Sequence, residues 1–156
     1  MLRAAALAAE FQLERITYMT LAKTFVSTSA GIALILGMLH LVFTFSGPKL
    51  RPRNPELQSR MASVAPLISS QTTIWNAWVG FNASHSLGLL LFGAAYAYLA
   101  LAQPALLFNS PFLGLVGALF LAGYVVLAKV FWFNTPFWAM LLAFICYGVG
   151  LAAARA

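Results

Sequence analysis

The chain has 156 residues, 62% of them hydrophobic and 8% charged, and a mean hydropathy of +0.88. Soluble domains are about a quarter charged, so this composition predicts one membrane domain over residues 1–156, with room for about four spans of roughly 20 residues. The net charge of +6 comes from nine Lys and Arg against three acidic residues. These cations flank apolar runs, which argues against nucleic-acid binding and favours contact with anionic lipid headgroups.

Residues 1–23 are predicted to be helical without crossing the membrane. Charged side chains interrupt the apolar positions too often for a span: Glu10, Glu14, Arg15 and Lys23. Two interpretations remain open. The segment is either an amphipathic helix lying in the interface or an extension of the first span into water.

The first predicted span covers residues 25–45 and ends at a Gly-Pro pair that a helix does not continue through. Ser29, Ala33 and Gly37 recur every four residues, and small residues at this spacing let another helix approach closely. His40 follows one turn later, near the same face. A hydrogen bond from His40 to a neighbouring helix is the simplest expectation for a polar group at this depth.

A basic loop, residues 47–73, separates the first and second spans. It contains three prolines near its start and four cations: Lys49, Arg51, Arg53 and Arg60. The prolines rule out a long helix there, but residues 57–65 have the composition of a short surface helix. We expect the loop to contact anionic headgroups of the bilayer.

The second predicted span, residues 74–99, carries two different faces. One is a stripe of small residues, expected to pack against the first or third span, and consists of Gly80, Ser84 and Gly88. The other is polar and aromatic, with spacings of four and three residues, and consists of Trp78, Asn82 and His85. Because polar groups are costly in lipid, the second face is expected to point at protein, ligand or water.

The third and fourth predicted spans cover residues 112–133 and 136–153. Gly114 and Ala118 are small positions that predict helix packing in the third span. Lys129, near its end, is expected to extend to the headgroups. The residues expected to anchor the interface are Trp75, Trp132, Trp138 and Lys129.

Threading these spans up, down, up and down predicts a four-helix bundle in which both histidines lie at one depth. His40 is seven residues before the first loop and His85 ten residues after Trp75, so each lies roughly 10–15 Å below the same surface. A pocket lined by His40, Trp78, Asn82 and His85 is therefore one hypothesis, with a lipid or another apolar ligand bound there. Haem held by His40 and His85 is a second, and hydrogen bonding between helices without any ligand or cofactor is the third.

The sequence contains few of the residues on which membrane catalysis and transport depend. No Asp or Glu lies in any predicted span, which argues against a carboxylate proton relay and a cation-coupled transporter. A Ser-His-Asp set is impossible without aspartate. The balance favours a protein that is not an enzyme, although an unusual membrane enzyme stays open.

Two stretches, HLVFTFSGPKLRPRN at 40–54 and WVGFNASHSLG at 78–88, resemble segments of a group of small bacterial membrane proteins with four predicted helices. The resemblance implies the four-helix architecture and a bacterial inner membrane, and it implies no site. Four small-residue faces and little mass outside the membrane predict an accessory or structural subunit that packs against other membrane subunits. The alternative is a small membrane protein that binds a lipid, an apolar ligand or haem.

Overall fold

The structure is a computed structural model that describes the backbone of Leu2–Ala156, and all side chains in that range except those of residues 2, 4, 5 and 8. The described part of the chain is helical and contains no strand. Its six helices are α1 (Leu2–Phe45), α2 (Pro55–Ser63), α3 (Ile74–Ala102), α4 (Pro104–Phe108), α5 (Pro111–Phe131) and α6 (Asn134–Ala153).

Four of these helices are long and apolar enough to cross a membrane, as the sequence predicts. The candidate spans are Ala9–Phe45, Ile74–Ala102, Pro111–Phe131 and Asn134–Ala153. Helices satisfy every backbone polar group internally, which is the condition for crossing lipid. The chain therefore has the length and composition of a multi-pass integral membrane protein.

Helix α1 is one unbroken helix of 44 residues. It is about 66 Å long, roughly twice the hydrocarbon thickness of a bilayer, and it continues without interruption from residues 2–23 into the first predicted span. Threonine hydroxyls along it each donate to the carbonyl four residues earlier at 2.8–2.9 Å: Thr17, Thr20, Thr24 and Thr28. These bonds satisfy the hydroxyls without any neighbouring element.

Helix α2 lies in the basic loop and begins two residues earlier than predicted. Asn54 caps it by accepting a hydrogen bond from the Glu56 amide at 2.9 Å, and Pro55 occupies the first turn. Glu56 and Arg60 form an exposed ion pair at 2.9 Å, one turn apart. Gly47 turns the chain out of α1 with φ of +83°, which residues with a Cβ rarely adopt.

The chain forms two compact units, Met1–Leu34 with Phe92–Ala156, and Ile35–Leu91. In the first unit, small residues let helices approach: a Cβ on Gly150 would lie 2.7 Å from Val26 and 3.0 Å from the Ala22 carbonyl. Likewise, a Cβ on Gly93 would lie 2.7 Å from the Ala30 carbonyl. These glycines bring α6 and α3 against α1.

An aromatic cluster completes the first unit. The Tyr96 hydroxyl donates to the Leu113 carbonyl at 2.7 Å, and the Tyr147 hydroxyl lies 3.3 Å from the same oxygen. Phe92 stacks on Phe120 with ring centroids 4.6 Å apart. Side chains from α3 and α6 therefore meet the first turn of α5, and both tyrosines find an acceptor inside the protein.

In the second unit, the backbones of α1 and α3 come together at Gly37. A Cβ there would lie 3.0 Å from Leu89 and 3.1 Å from the Ser86 carbonyl. This contact sets the register of the two helices. The polar site described next lies about one turn away from it, after Gly37 in α1 and before Ser86 in α3.

Candidate functional site

A hydrogen bond between His40 and Asn82 is the centre of the polar site. His40 follows Gly37 by three residues and Asn82 precedes Ser86 by four, so the close contact at Gly37 brings their side chains together. The distance from His40 Nε2 to Asn82 Oδ1 is 2.9 Å. Asn82 is 6% exposed, so this bond lies almost wholly inside the protein.

The partners of Asn82 assign the proton on His40. Asn82 Nδ2 donates to the Trp78 carbonyl at 2.8 Å, which leaves Oδ1 facing the imidazole. An amide oxygen only accepts, so His40 Nε2 carries the proton and donates it. Both groups of the Asn82 amide are therefore satisfied, as burial requires.

His85 adds a second imidazole beside this pair. The ring centroids of His40 and His85 are 5.2 Å apart and the planes are inclined by 64°. The Phe81 ring also stacks on His85, with centroids 6.2 Å apart. The His85 ring thus contacts both an imidazole and a phenyl ring, and the two histidines meet edge to face.

This arrangement does not fit haem held by His40 and His85. Axial ligation requires the macrocycle between two imidazoles, each with a nitrogen about 2 Å from iron. The rings instead touch, and His40 Nε2 is bonded to Asn82. Among the described residues no group of three or more His, Cys, Asp or Glu is arranged to hold a metal ion.

Trp78 joins the site to the basic loop. Its indole Nε1 donates to the Leu50 carbonyl at 3.1 Å, and its side chain is 41% exposed. A small cavity beside it, bordered by Phe43, Leu50, Trp75 and Asn82, has ≈ 10 Å³ open to the centre of a water molecule. That space holds about one water. Trp78 and Asn82 line the cavity, whereas His40 and His85 do not.

Cations near the ends of the spans lie over aromatic rings. Lys49 Nζ is 4.1 Å from the Phe43 ring centroid and Lys129 Nζ is 5.0 Å from that of Phe137. Both distances are within the range of a cation–π contact. Of the tryptophans predicted as interface anchors, Trp138 is exposed and the other two, Trp75 and Trp132, are half-buried.

The predicted packing residues divide into two groups. Gly37 and Gly114 are buried, while Gly88 and Ala118 are half-buried. Gly80 and Ser84 are exposed, and a Cβ on Gly80 would meet nothing within 4 Å, so this pair does not pack against the first or third span within the described chain.

The buried face of α3 differs from the predicted one. Next to α1, α3 presents Asn82, Ser86 and Leu89, which are 6%, 0% and 3% exposed. Two residues along a helix correspond to a rotation of about 200°, so the buried and predicted faces are nearly opposite. The spacing of Asn82 and Ser86 is the signal that would have identified the buried face.

Comparisons of the chain with protein-family models, with curated proteins and with solved structures gave no match. Function is therefore inferred from the contacts of the described residues.

Proposed function

We propose that the protein is an accessory or structural subunit of a larger membrane complex. Its four spans run up, down, up and down with both ends on one side of a bacterial inner membrane, and residues 1–23 extend the first span beyond the bilayer. The observation that supports this role is the exposed small-residue face of α3 formed by Gly80 and Ser84.

The Gly80–Ser84 face costs stability that no contact within the described chain recovers. Glycine inside a helix is about 1 kcal/mol less favourable than alanine, and nothing lies within 4 Å of a Cβ on Gly80. Ser84 donates its hydroxyl to the Phe81 carbonyl at 2.9 Å, so it presents a small surface whose polar group is already satisfied. Small residues spaced four apart let a second spanning helix approach closely.

The polar site supports the same role from the inner face of α3. The His40–Asn82 hydrogen bond and the packing of Gly37 on Ser86 hold α1 and α3 in one register. A hydrogen bond between spanning helices contributes about 0.6 kcal/mol on average and up to about 1.7. Holding the inner face in this way keeps the outer Gly80–Ser84 face in a fixed orientation, which lowers the cost of docking a partner.

The basic loop supplies the lipid contact in this proposal. Lys49 is held over Phe43 and the Leu50 carbonyl is bound by Trp78, which fixes the start of the loop at the end of α1. Cations near a membrane surface gain about 1 kcal/mol each from anionic lipids. The loop thereby orients the subunit at the bilayer surface.

The alternative, a pocket for a lipid, an apolar ligand or haem at His40, Asn82 and His85, receives less support. The adjacent cavity has room for about one water, and the two imidazoles touch each other. The contacts at this site are those expected of hydrogen bonding between helices.

Co-purification from the native membrane in mild detergent tests the proposal. We expect wild-type protein to retain partner chains in fixed stoichiometry and Gly80→Leu to lose them, because leucine would hold a docked helix away. Gly123→Leu and Gly148→Leu are matched controls, since both glycines are exposed and without neighbours within 4 Å of a Cβ.

The controls should retain the partners and match wild type in size-exclusion profile, whereas Gly80→Leu should elute later as a single smaller species, which shows that it is still folded. Wild-type protein that elutes without any stoichiometric partner would refute the accessory role. Equal loss of partners in all three leucine variants would show that the Gly80–Ser84 face is not the docking surface.

A further inference from the structure

A second cavity, unrelated to the histidine site, opens in the first compact unit. It lies between the first half of α1 and the end of α6, and has ≈ 260 Å³ open to the centre of a water molecule. Its lining combines two basic residues, an acidic residue and apolar side chains: Arg15, Arg155, Glu14, Phe11, Tyr18 and Met19. We refer to it as the α1–α6 cleft.

The α1–α6 cleft lies at the depth of lipid headgroups. Helix α6 has 20 residues and is about 30 Å long, which matches the hydrocarbon core of a bilayer. Gly150 packs against Ala22 and Val26 of α1, and α6 ends three residues later at Ala153, so its end is level with the part of α1 within about one turn before Ala22. The cleft therefore opens where α6 leaves the hydrocarbon and α1 continues beyond it.

The charges of the cleft have no ionic partner within the described part of the chain. Among the described residues, the ion pair is that of Arg60 and Glu56, which lies in the basic loop. Arg15, Arg155 and Glu14 instead border the open space of the cleft. Two guanidinium groups suit a phosphate, to which arginine donates in bidentate fashion. Glu14, together with the partial negative charge at the end of α6, suits a cation that donates hydrogen bonds.

The apolar side chains of the cleft favour a lipid over a soluble anion. Phe11 and Tyr18 follow one another at a spacing of seven residues on α1 and are 60% and 41% exposed. Met19 also lines the space. Aromatic residues at headgroup level pack against the glycerol and first acyl carbons of lipids, which a soluble anion lacks.

We propose that the α1–α6 cleft binds a glycerophospholipid whose headgroup carries both a phosphate and a primary ammonium group. Arg15 and Arg155 bind the phosphate, Glu14 accepts from the ammonium, and Phe11 and Tyr18 contact the glycerol region. This site is independent of the accessory role, because it uses neither the Gly80–Ser84 face nor the histidine site.

Titration of delipidated protein in detergent with lipids of identical acyl chains tests the site. The probes are phosphatidylethanolamine, phosphatidylcholine and phosphatidylglycerol, and bound lipid is counted by native mass spectrometry. We expect phosphatidylethanolamine to bind about tenfold more tightly than phosphatidylcholine, because a quaternary ammonium cannot donate the hydrogen bond to Glu14. Soluble phosphorylethanolamine at millimolar concentration should not displace the lipid.

Charge-neutralising variants assign the two halves of the headgroup. Arg15→Gln and Arg155→Gln should each weaken binding of all three lipids about tenfold, whereas Arg3→Gln, at an exposed position of α1 that does not line the cleft, should leave it unchanged. Glu14→Gln should reduce the preference for phosphatidylethanolamine over phosphatidylcholine, because a neutral amide oxygen accepts from an ammonium group more weakly than a carboxylate does. Glu10→Gln, one turn earlier and outside the cleft, should preserve the preference.

Three results would overturn the proposal. The first is equal affinity for phosphatidylethanolamine and phosphatidylcholine. The second is an Arg3→Gln effect as large as those of Arg15→Gln and Arg155→Gln, which would indicate general attraction to phosphate. The third is displacement by phosphorylethanolamine, which would indicate a soluble ligand. Because Arg155 lies beyond the end of α6, its variant keeps the test valid should Arg15→Gln fail to fold.

Discussion

Replacing Gly93 by alanine tests the close approach of α3 to α1. The added Cβ would lie 2.5 Å from Leu34 Cγ and 2.7 Å from the Ala30 carbonyl oxygen. The carbonyl belongs to the backbone of a long helix and cannot move alone, so the helices must separate. Overpacking of this kind costs about 1–3 kcal/mol, and alanine recovers about 1 kcal/mol through its helix propensity. The net expectation is a loss of about 0–2 kcal/mol.

The matched control is Gly123→Ala in α5. This variant also replaces a glycine inside a candidate spanning helix by alanine, but nothing lies within 4 Å of the new Cβ. The propensity gain is common to both variants and cancels in the difference between them. We therefore expect Gly93→Ala to be about 1–3 kcal/mol less stable than Gly123→Ala.

The free energy of unfolding of the two variants can be measured side by side by SDS titration in mixed micelles, followed by far-UV circular dichroism. Equal stability, or a more stable Gly93→Ala protein, would refute the reasoning. It would mean that α1 and α3 do not approach as closely at this position as the 2.7 Å distance to the Ala30 carbonyl oxygen implies.

Three further predictions concern the polar site and the topology. Asn82→Leu should destabilise the protein by about 1–3 kcal/mol, because it leaves the His40 donor unpaired. A double-mutant cycle with His40→Phe should give a coupling free energy of about 0.6–1.7 kcal/mol, and zero coupling would contradict the His40–Asn82 hydrogen bond. Trp78→Phe should cost about 0.5–1.5 kcal/mol through loss of the Leu50 hydrogen bond, and the exposed Trp138→Phe should cost less in the same titration. Reporter fusions in α2 and after α6 should lie on opposite sides of the membrane, and the same side for both would exclude the up-down-up-down order.

Much of the architecture was predictable because lipid imposes a simple condition. A chain crossing the bilayer must satisfy its backbone internally, so an apolar run of sufficient length is a helix. The second span was predicted to begin at residue 74, and α3 begins at Ile74. The third was predicted to begin one residue after Pro111, which opens α5.

The equal depth of the histidines was also predictable, because a helix rises by a constant amount per residue. That calculation needs only the ends of the two spans. It places His40 and His85 level without using any contact, and the two rings are 5.2 Å apart.

The direction in which each helix packs was decided only by the tertiary structure. In a soluble helix the apolar stripe marks the core, but a spanning helix is apolar on every side because lipid is as apolar as its neighbours. Gly80 and Ser84 therefore looked equivalent to Asn82 and Ser86 as a packing face, and the structure buries only the second pair.

The sequence by itself determined which helices are long and apolar enough to cross a membrane and which residue types lie near their ends, since these follow from length, hydropathy and helical rise. The tertiary structure decided which residues meet. The Leu113 carbonyl accepts from Tyr147, 34 residues away, and Arg15 and Arg155 border one cleft from nearly opposite ends of the chain. Such pairings depend on the rotation of each helix about its axis, and small differences in packing between alternative faces, rather than any periodic pattern, set that rotation.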